Sequence, residues 1–151
     1  MDFKDIFHTD FSVVNSAHAR VNLIGEHTDY TGGYVLPSLL NFKTTIQISK
    51  NENKKYQVYS EHFNEQINFT DFIKSKNNKW VDYVKGSLFV FYDENKNIPN
   101  THLNIYISST IPIGRGISSS SALCVAVLKS LNSFFNTEYT EKHIAILAQK
   151  V

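Results

Sequence analysis

A single cysteine, Cys124, in 151 residues excludes an internal disulfide framework. Set in SALCVAVL, it reads as a small buried hydrophobe, and a reducing, cytoplasmic setting is the expectation. Charge of either sign is not in excess. With a net charge of +1 and a pI near 7.8, the chain has no overall field to recruit nucleic acid or an anionic membrane. No apolar run approaches the roughly 20 residues of a membrane span. The opening MDFKDIFHTD has neither a basic region nor an unbroken apolar stretch, so no secretory leader is expected. The six histidines (His8, His18, His27, His62, His102 and His143) lack HxxxH spacing and a cysteine partner, which leaves no zinc motif. A Walker A lysine loop is missing too, and no internal repeat is visible.

What remains is an ordinary globular composition, 42% hydrophobic and 19% charged, enough for one core. Phe3, Ile6, Phe7 and Phe11 predict a short amphipathic helix within residues 3–12. Val21, Leu23 and Ile24 suggest a short buried strand, and a second begins at Tyr34, Val35 and Leu36. TTIQISKN and YQVYSEHFNEQINF continue the β-rich character through hairpins. Trp80, Tyr83, Val84, Ser87, Leu88 and Phe91 fall on one helical face, for which core packing is the simplest role. HLNIYISS predicts a half-buried strand, and ALCVAVLKSLNSFF a helix buried on nearly every side. In TEKHIAILAQKV, Thr140 is a candidate N-cap, and Ile144, Leu147, Ala148 and Val151 form an apolar face that is expected to stay exposed. NENKK, KSKNNK and DENKN read as solvated loops. Periodicity alone therefore supports a mixed α+β domain with a β-rich first half.

Two stretches carry chemistry. In RVNLIGEHTDYTGGYVLP, Arg20, Glu26, His27 and Asp29 fall within ten residues, and Gly25, Gly32 and Gly33 mark where the backbone bends. Carboxylate acceptors beside an imidazole and hydroxyls suit a ligand with neighbouring hydroxyl groups, such as a sugar; a solvated turn is the plainer alternative. In IPIGRGISSSSAL, Gly114 and Gly116 let successive N–H groups converge, and Ser118 to Ser121 add hydroxyls at a helix start. That is a phosphate seat, or simply a good N-cap. A helix end contributes only about 0.3–2 kcal/mol towards an anion, so a divalent ion, naturally magnesium, would share the load.

RVNLIGEHTDYTGGYVLP closely resembles the N-terminal signature of the galactokinases, in the superfamily that also holds homoserine, mevalonate and phosphomevalonate kinases. PIGRGISSSSA resembles the second motif of that superfamily, in the right order, and Trp80, Tyr83, Val84 and Gly86 add a weaker likeness. The chain departs from the pattern at Ala17-His18-Ala19, where the family usually has Ala-Pro-Gly, and at Arg115 in the second motif. The resemblance implies an α+β fold, the N-terminal domain of the galactokinase-type small-molecule kinases: a mixed sheet with helices on one side and a left-handed crossover, incomplete at the C-terminus. Residues 1–151 would be a truncated sugar- and ATP-binding domain, with the galactose signature in about 1–40 and the ATP-binding region in about 102–151. The C-terminal domain, the third motif and the catalytic aspartate would lie beyond Val151.

The resemblance further implies Arg20 as catalytic and in contact with sugar and phosphate, and Glu26, His27 and Asp29 on sugar hydroxyls. Gly114, Gly116, Ser118, Ser119 and Ser120 would hold phosphates, with Ser120 on magnesium. The implied activity is ATP- and Mg2+-dependent phosphorylation of the anomeric hydroxyl of galactose to galactose 1-phosphate, with this fragment inactive alone. Galactose and ATP are the implied ligands, with no nucleic acid or membrane partner. A non-catalytic sugar and nucleotide sensor, or a kinase for N-acetylgalactosamine, arabinose or galacturonate, stays open.

Overall fold

Apolar alternation in TTIQIS and NIYISS builds the centre of the molecule. A computed structural model describes residues 1–25, 31–75, 77, 79–112 and 118–151. Its elements run α1 (Phe3–Phe7), β1 (Val13–Ile24), β2 (Leu36–Lys50), β3 (Tyr56–Ser60), β4 (Glu65–Phe69), α2 (Val81–Glu94), β5 (Leu103–Ser109), α3 (Ser119–Phe135) and α4 (Glu141–Gln149). The strands form one sheet in the order β1-β2-β5-β3-β4. Neighbours are antiparallel except β3 and β5, which run parallel, so the sheet is mixed. A parallel neighbour cannot be reached by a tight turn, and here the chain passes through β4 and α2 before returning as β5.

Ile46, Ile48, Val58, Leu103, Ile105 and Ile107 point to one face of this sheet and meet Val84, Leu88 and Phe91 of α2, Val127, Leu128 and Leu131 of α3, and Ile144 and Leu147 of α4. Each fully buried Leu or Ile contributes about 1.5–3 kcal/mol, so this face carries most of the stability. The apolar face of α4 is thus packed at Ile144 and Leu147, which are buried, whereas Val151 is exposed as expected. Thr140 caps that helix as expected, accepting from the His143 N–H at 3.2 Å. Cys124 is buried, and burial pushes its thiol pKa up.

The other face of the sheet is covered locally by α1, where Phe3 packs on Tyr59 and Tyr106. Those two rings stack at 5.3 Å, and the Tyr106 hydroxyl donates to the Met1 carbonyl at 2.7 Å. Because β5 is central and covered on both sides, Leu103 to Ile107 are all buried, where alternation had suggested a half-buried strand. The first helix is shorter than expected. His8 takes a left-handed conformation (φ 56°) and returns its N–H to the Lys4 carbonyl, which ends the helix after five residues.

The signature region differs from expectation in one respect. β1 is twelve residues long, and its far end is not buried: Leu23 and Ile24 are 63% and 68% exposed. Tyr34 is fully exposed and precedes β2, which starts at Leu36. Gly25 (φ 91°) and Gly32 (φ 79°) take the positive angles expected of them. The β1–β2 ladder shifts register between His18 and Arg20, and again between Asn22 and Ile24. Irregularities of this kind bend a strand and re-aim its side chains. The first of them lies beside Arg20.

Candidate functional site

The first turn of α3 separates two clefts. Ser118 precedes the helix in a left-handed conformation (φ 58°, ψ 40°) and makes no side-chain cap bond. The first bond of the helical ladder is from the Ala122 N–H to the Ser118 carbonyl, at 3.0 Å. The N–H groups of Ser119, Ser120 and Ser121 therefore lie ahead of the ladder, at the positive end of a 17-residue helix with no acidic side chain in its first turn. That arrangement suits an anion.

On one side, Ser119 and Ser120 line a cleft of about 260 Å³ together with His62, Phe63, Trp80, Tyr83, Ile111 and Leu123. Its wall is aromatic. Phe63 and Trp80 stack at 5.9 Å with their planes 11° apart, and His62 meets Phe63 edge-on at 4.9 Å. Behind them the Trp80 indole N–H donates to Glu65 Oε2 at 3.0 Å, and Lys79 Nζ donates to Oε1 at 3.3 Å. These two donors, the indole first, pull the Glu65 pKa below the usual carboxylate range. Tyr83, 45% exposed, thus departs from the core role suggested by helical spacing, whereas Trp80 is partly buried and both packs against the core and lines the cleft. Both sit at the start of α2.

On the other side, Ser118 and Ser121 line a cleft of about 320 Å³ with His18, Arg20, Leu39, Lys129 and Glu141. Ala122, which also lines it, belongs to a small buried cluster with Ala19 and Ile111, against which Leu40 packs. Alanine at 19 and 122 lets α3 approach β1 closely. Ala19, where the family usually has glycine, is extended strand without a positive φ, so alanine fits there without strain. His18 Nδ1 lies 3.0 Å from the Leu40 carbonyl, which makes Nδ1 the donor and leaves Nε2 to accept when the ring is neutral. Lys129 pairs with Glu141 at 3.0 Å. The polar groups are cationic, anionic and hydroxylic in turn, as a polyhydroxylated ligand beside a phosphate requires.

Four of the site residues expected from sequence are placed. Arg20 and Ser118 share one cleft, and Ser119 and Ser120 line the other. Glu26, His27, Asp29, Gly114 and Gly116, like Arg115, lie outside the described residues. Sequence reasoning missed His62, Phe63, Glu65, Lys129 and Glu141. The aromatic pair inside YSEHFNEQINF was the available signal, hidden because it joins Trp80 only through the fold.

Magnesium can be tested against these donors. Among the described residues, no three His, Cys, Asp or Glu side chains converge. Among the described residues, the first turn of α3 offers hydroxyls, those of Ser119 and Ser120 at one cleft. An Mg2+ ion that keeps its waters and takes its other ligands from nucleotide phosphates fits such a sparse site. No helix among the described residues is long and apolar enough to cross a membrane.

The chain matches two family models, the galactokinase galactose-binding signature over residues 1–50 and the GHMP kinases N terminal domain over residues 82–151. It is 44% identical to a galactokinase of Pyrococcus furiosus over 131 residues, covering 87% of this chain and 36% of the relative. A galactokinase of Lacticaseibacillus casei is 36% identical over 153 residues, covering 98% of this chain and 38% of the relative. Among solved structures, Lactococcus lactis galactokinase complexed with galactose aligns with a TM-score of 0.85 and 33% identity, over 98% of this chain and 39% of that one. A mevalonate kinase aligns with a TM-score of 0.81 at 24% identity, over 91% of this chain and 45% of that one, a likeness of fold. The chain thus spans well under half the length of the proteins it matches, and over that span it is similar to galactokinases in both sequence and structure.

Proposed function

We propose that this chain supplies the donor and acceptor sites of a sugar kinase that transfers the γ-phosphate of ATP to the anomeric hydroxyl of galactose, giving galactose 1-phosphate. The observation that carries the proposal is the pair of clefts on either side of the first turn of α3. The aromatic cleft takes the nucleotide base. The N–H groups and hydroxyls of Ser119 and Ser120 take its phosphates, joined by Gly114 and Gly116, which precede them in sequence. The Arg20 cleft takes the sugar, with Glu26, His27 and Asp29 completing hydroxyl recognition. A phosphoryl group passing between the clefts crosses the positive end of α3.

Arg20 is the catalytic residue in this reading. Its guanidinium stays charged and offers a planar fork of donors, able to hold an equatorial phosphoryl oxygen and the attacking hydroxyl together. Phosphoryl transfer places charge on the equatorial oxygens, so fixed positive groups and an aligned nucleophile lower the barrier. Magnesium would be held by Ser120 and the nucleotide and would supply further charge neutralisation. Ser118 and Ser121 face the acceptor and help orient it.

The test uses protein that carries this chain together with the remaining length of the family. Supplied with ATP and Mg2+, it is expected to phosphorylate galactose in preference to glucose, because unpaired polar groups penalise the wrong epimer. Arg20→Ala should lower kcat about a hundredfold or more, as loss of one preorganised donor typically costs about 2.7–4 kcal/mol, with a smaller change in KM. Equal turnover of both sugars contradicts the substrate assignment. A kcat within a few-fold of wild type in folded Arg20→Ala contradicts the catalytic one.

A further inference from the structure

Trp80 is the one tryptophan of the chain, and its ring is held at both ends. An indole has a single polar atom, a donor, so the acceptor it finds decides how the ring is turned. Here that acceptor is Glu65 Oε2 at 3.0 Å, fifteen residues earlier on β4. The same carboxylate takes Lys79 Nζ on its other oxygen at 3.3 Å, from the residue just before Trp80. Glu65 thus ties the first residue of β4 to the start of α2. On its far side the indole stacks on Phe63, and both rings line the cleft that ends at Ser119 and Ser120.

Stability does not explain this arrangement. The Glu65 and Lys79 side chains are 41% and 46% exposed, and surface pairs of that kind contribute little to folding. A flat apolar ligand gains more. A wall already in its bound orientation spares the cost of ordering two aromatic side chains when a base stacks on it.

We propose that Glu65 is a positioning residue for the nucleotide base: by holding the Trp80 indole N–H, it keeps Trp80 and Phe63 as a preformed aromatic wall on which a purine docks. This rests on the assignment of the aromatic cleft to the nucleotide. Glu65 touches no ligand itself. Its effect passes through Trp80, so it concerns the base and not the phosphates.

The experiment compares wild type, Glu65→Ala and Glu65→Gln in the 151-residue chain, with Mg·ATP and Mg·tripolyphosphate as probes and selectively excited Trp80 fluorescence as a second readout. Glu65→Ala is expected to weaken Mg·ATP about tenfold while leaving Mg·tripolyphosphate within about twofold. Without nucleotide, its Trp80 emission should shift to the red and its anisotropy fall. Glu65→Gln keeps a carbonyl acceptor for the indole, so its ATP affinity and emission should stay near wild type. Unchanged ATP affinity in Glu65→Ala overturns the proposal, as does equal weakening of both probes. Unchanged emission and anisotropy overturn the anchoring of the indole. A wild-type chain that binds tripolyphosphate and ATP equally, or neither, overturns instead the placement of the base in this cleft, and base positioning with it.

Discussion

Substituting Ala122 by valine adds two carbons where α3 packs on β1. Ala122 is 3% exposed, and it faces Ala19, at 0%, and Ile111, at 4%. Nothing in that cluster is a long, flexible side chain able to yield. Overpacking of a close-packed site typically costs about 1–3 kcal/mol, and valine in place of alanine within a helix adds up to about 0.7 kcal/mol. For a chain of this size each kcal/mol lowers Tm by about 2–4 °C, so a fall of about 2–15 °C is expected. Ala145, exposed on α4, is the control, since valine there carries only the helix-propensity cost. The same shift should propagate to the site. Lifting the first turn of α3 moves Ser118 and Ser121 away from Arg20, so galactose affinity should fall even at temperatures where the variant is fully folded. Thermal unfolding followed by circular dichroism, with calorimetric titration of galactose, measures both effects. If Ala122→Val destabilises no more than Ala145→Val, the close approach of α3 to β1 is wrong, and with it the account of why alanine occupies both positions.

Two further outcomes follow from single side chains. Ser130 is fully buried and its hydroxyl has no hydrogen-bond partner among the described residues, so Ser130→Ala should raise stability by about 1 kcal/mol, read by denaturant unfolding; a loss of stability would reveal a partner for that hydroxyl. The Glu65 pKa is lowered by the Trp80 and Lys79 donors, so the extra stability of the charged form is present above the ordinary glutamate value and is lost as pH falls through the depressed one. The Glu65 carboxyl shift, followed by NMR, should therefore titrate below that ordinary value, with Trp80 emission little changed because the protonated carboxyl keeps a carbonyl acceptor; a midpoint at or above it contradicts the two donors.

Much of the fold was legible because it is written in local periodicity. The alternation of Ile46 and Ile48, the faces of α2 and α4, and Thr140 as a cap each follow from residues within one turn or one strand. What was hidden depends on partners distant in sequence. Nothing local shows that β1 runs unbroken through His18, Arg20 and Asn22; the ladder to β2 carries those polar residues, because strand pairing satisfies the backbone whatever the side chain. Burial of Asn104 and Tyr106 depends on α1 and the neighbouring strands. At the site, the serine run and Arg20 could be recognised by motif, yet their division between two clefts could not, because successive helical residues turn about 100° apart and face different neighbours. Glu65 and Phe63 read as ordinary strand and turn residues until the fold brings them to Trp80.

The central claim is that nucleotide and sugar occupy opposite sides of the first turn of α3, and amide shift mapping by NMR on the 151-residue chain tests it most directly. Mg·ATP is expected to perturb the amides of Phe63, Trp80, Tyr83, Ser119 and Ser120, while galactose perturbs those of His18, Arg20, Ser121 and Lys129. Both ligands added together should affect the first turn of α3 more than either alone. Ligands that perturb one and the same set of residues, or galactose shifts confined to the aromatic cleft, would contradict the assignment.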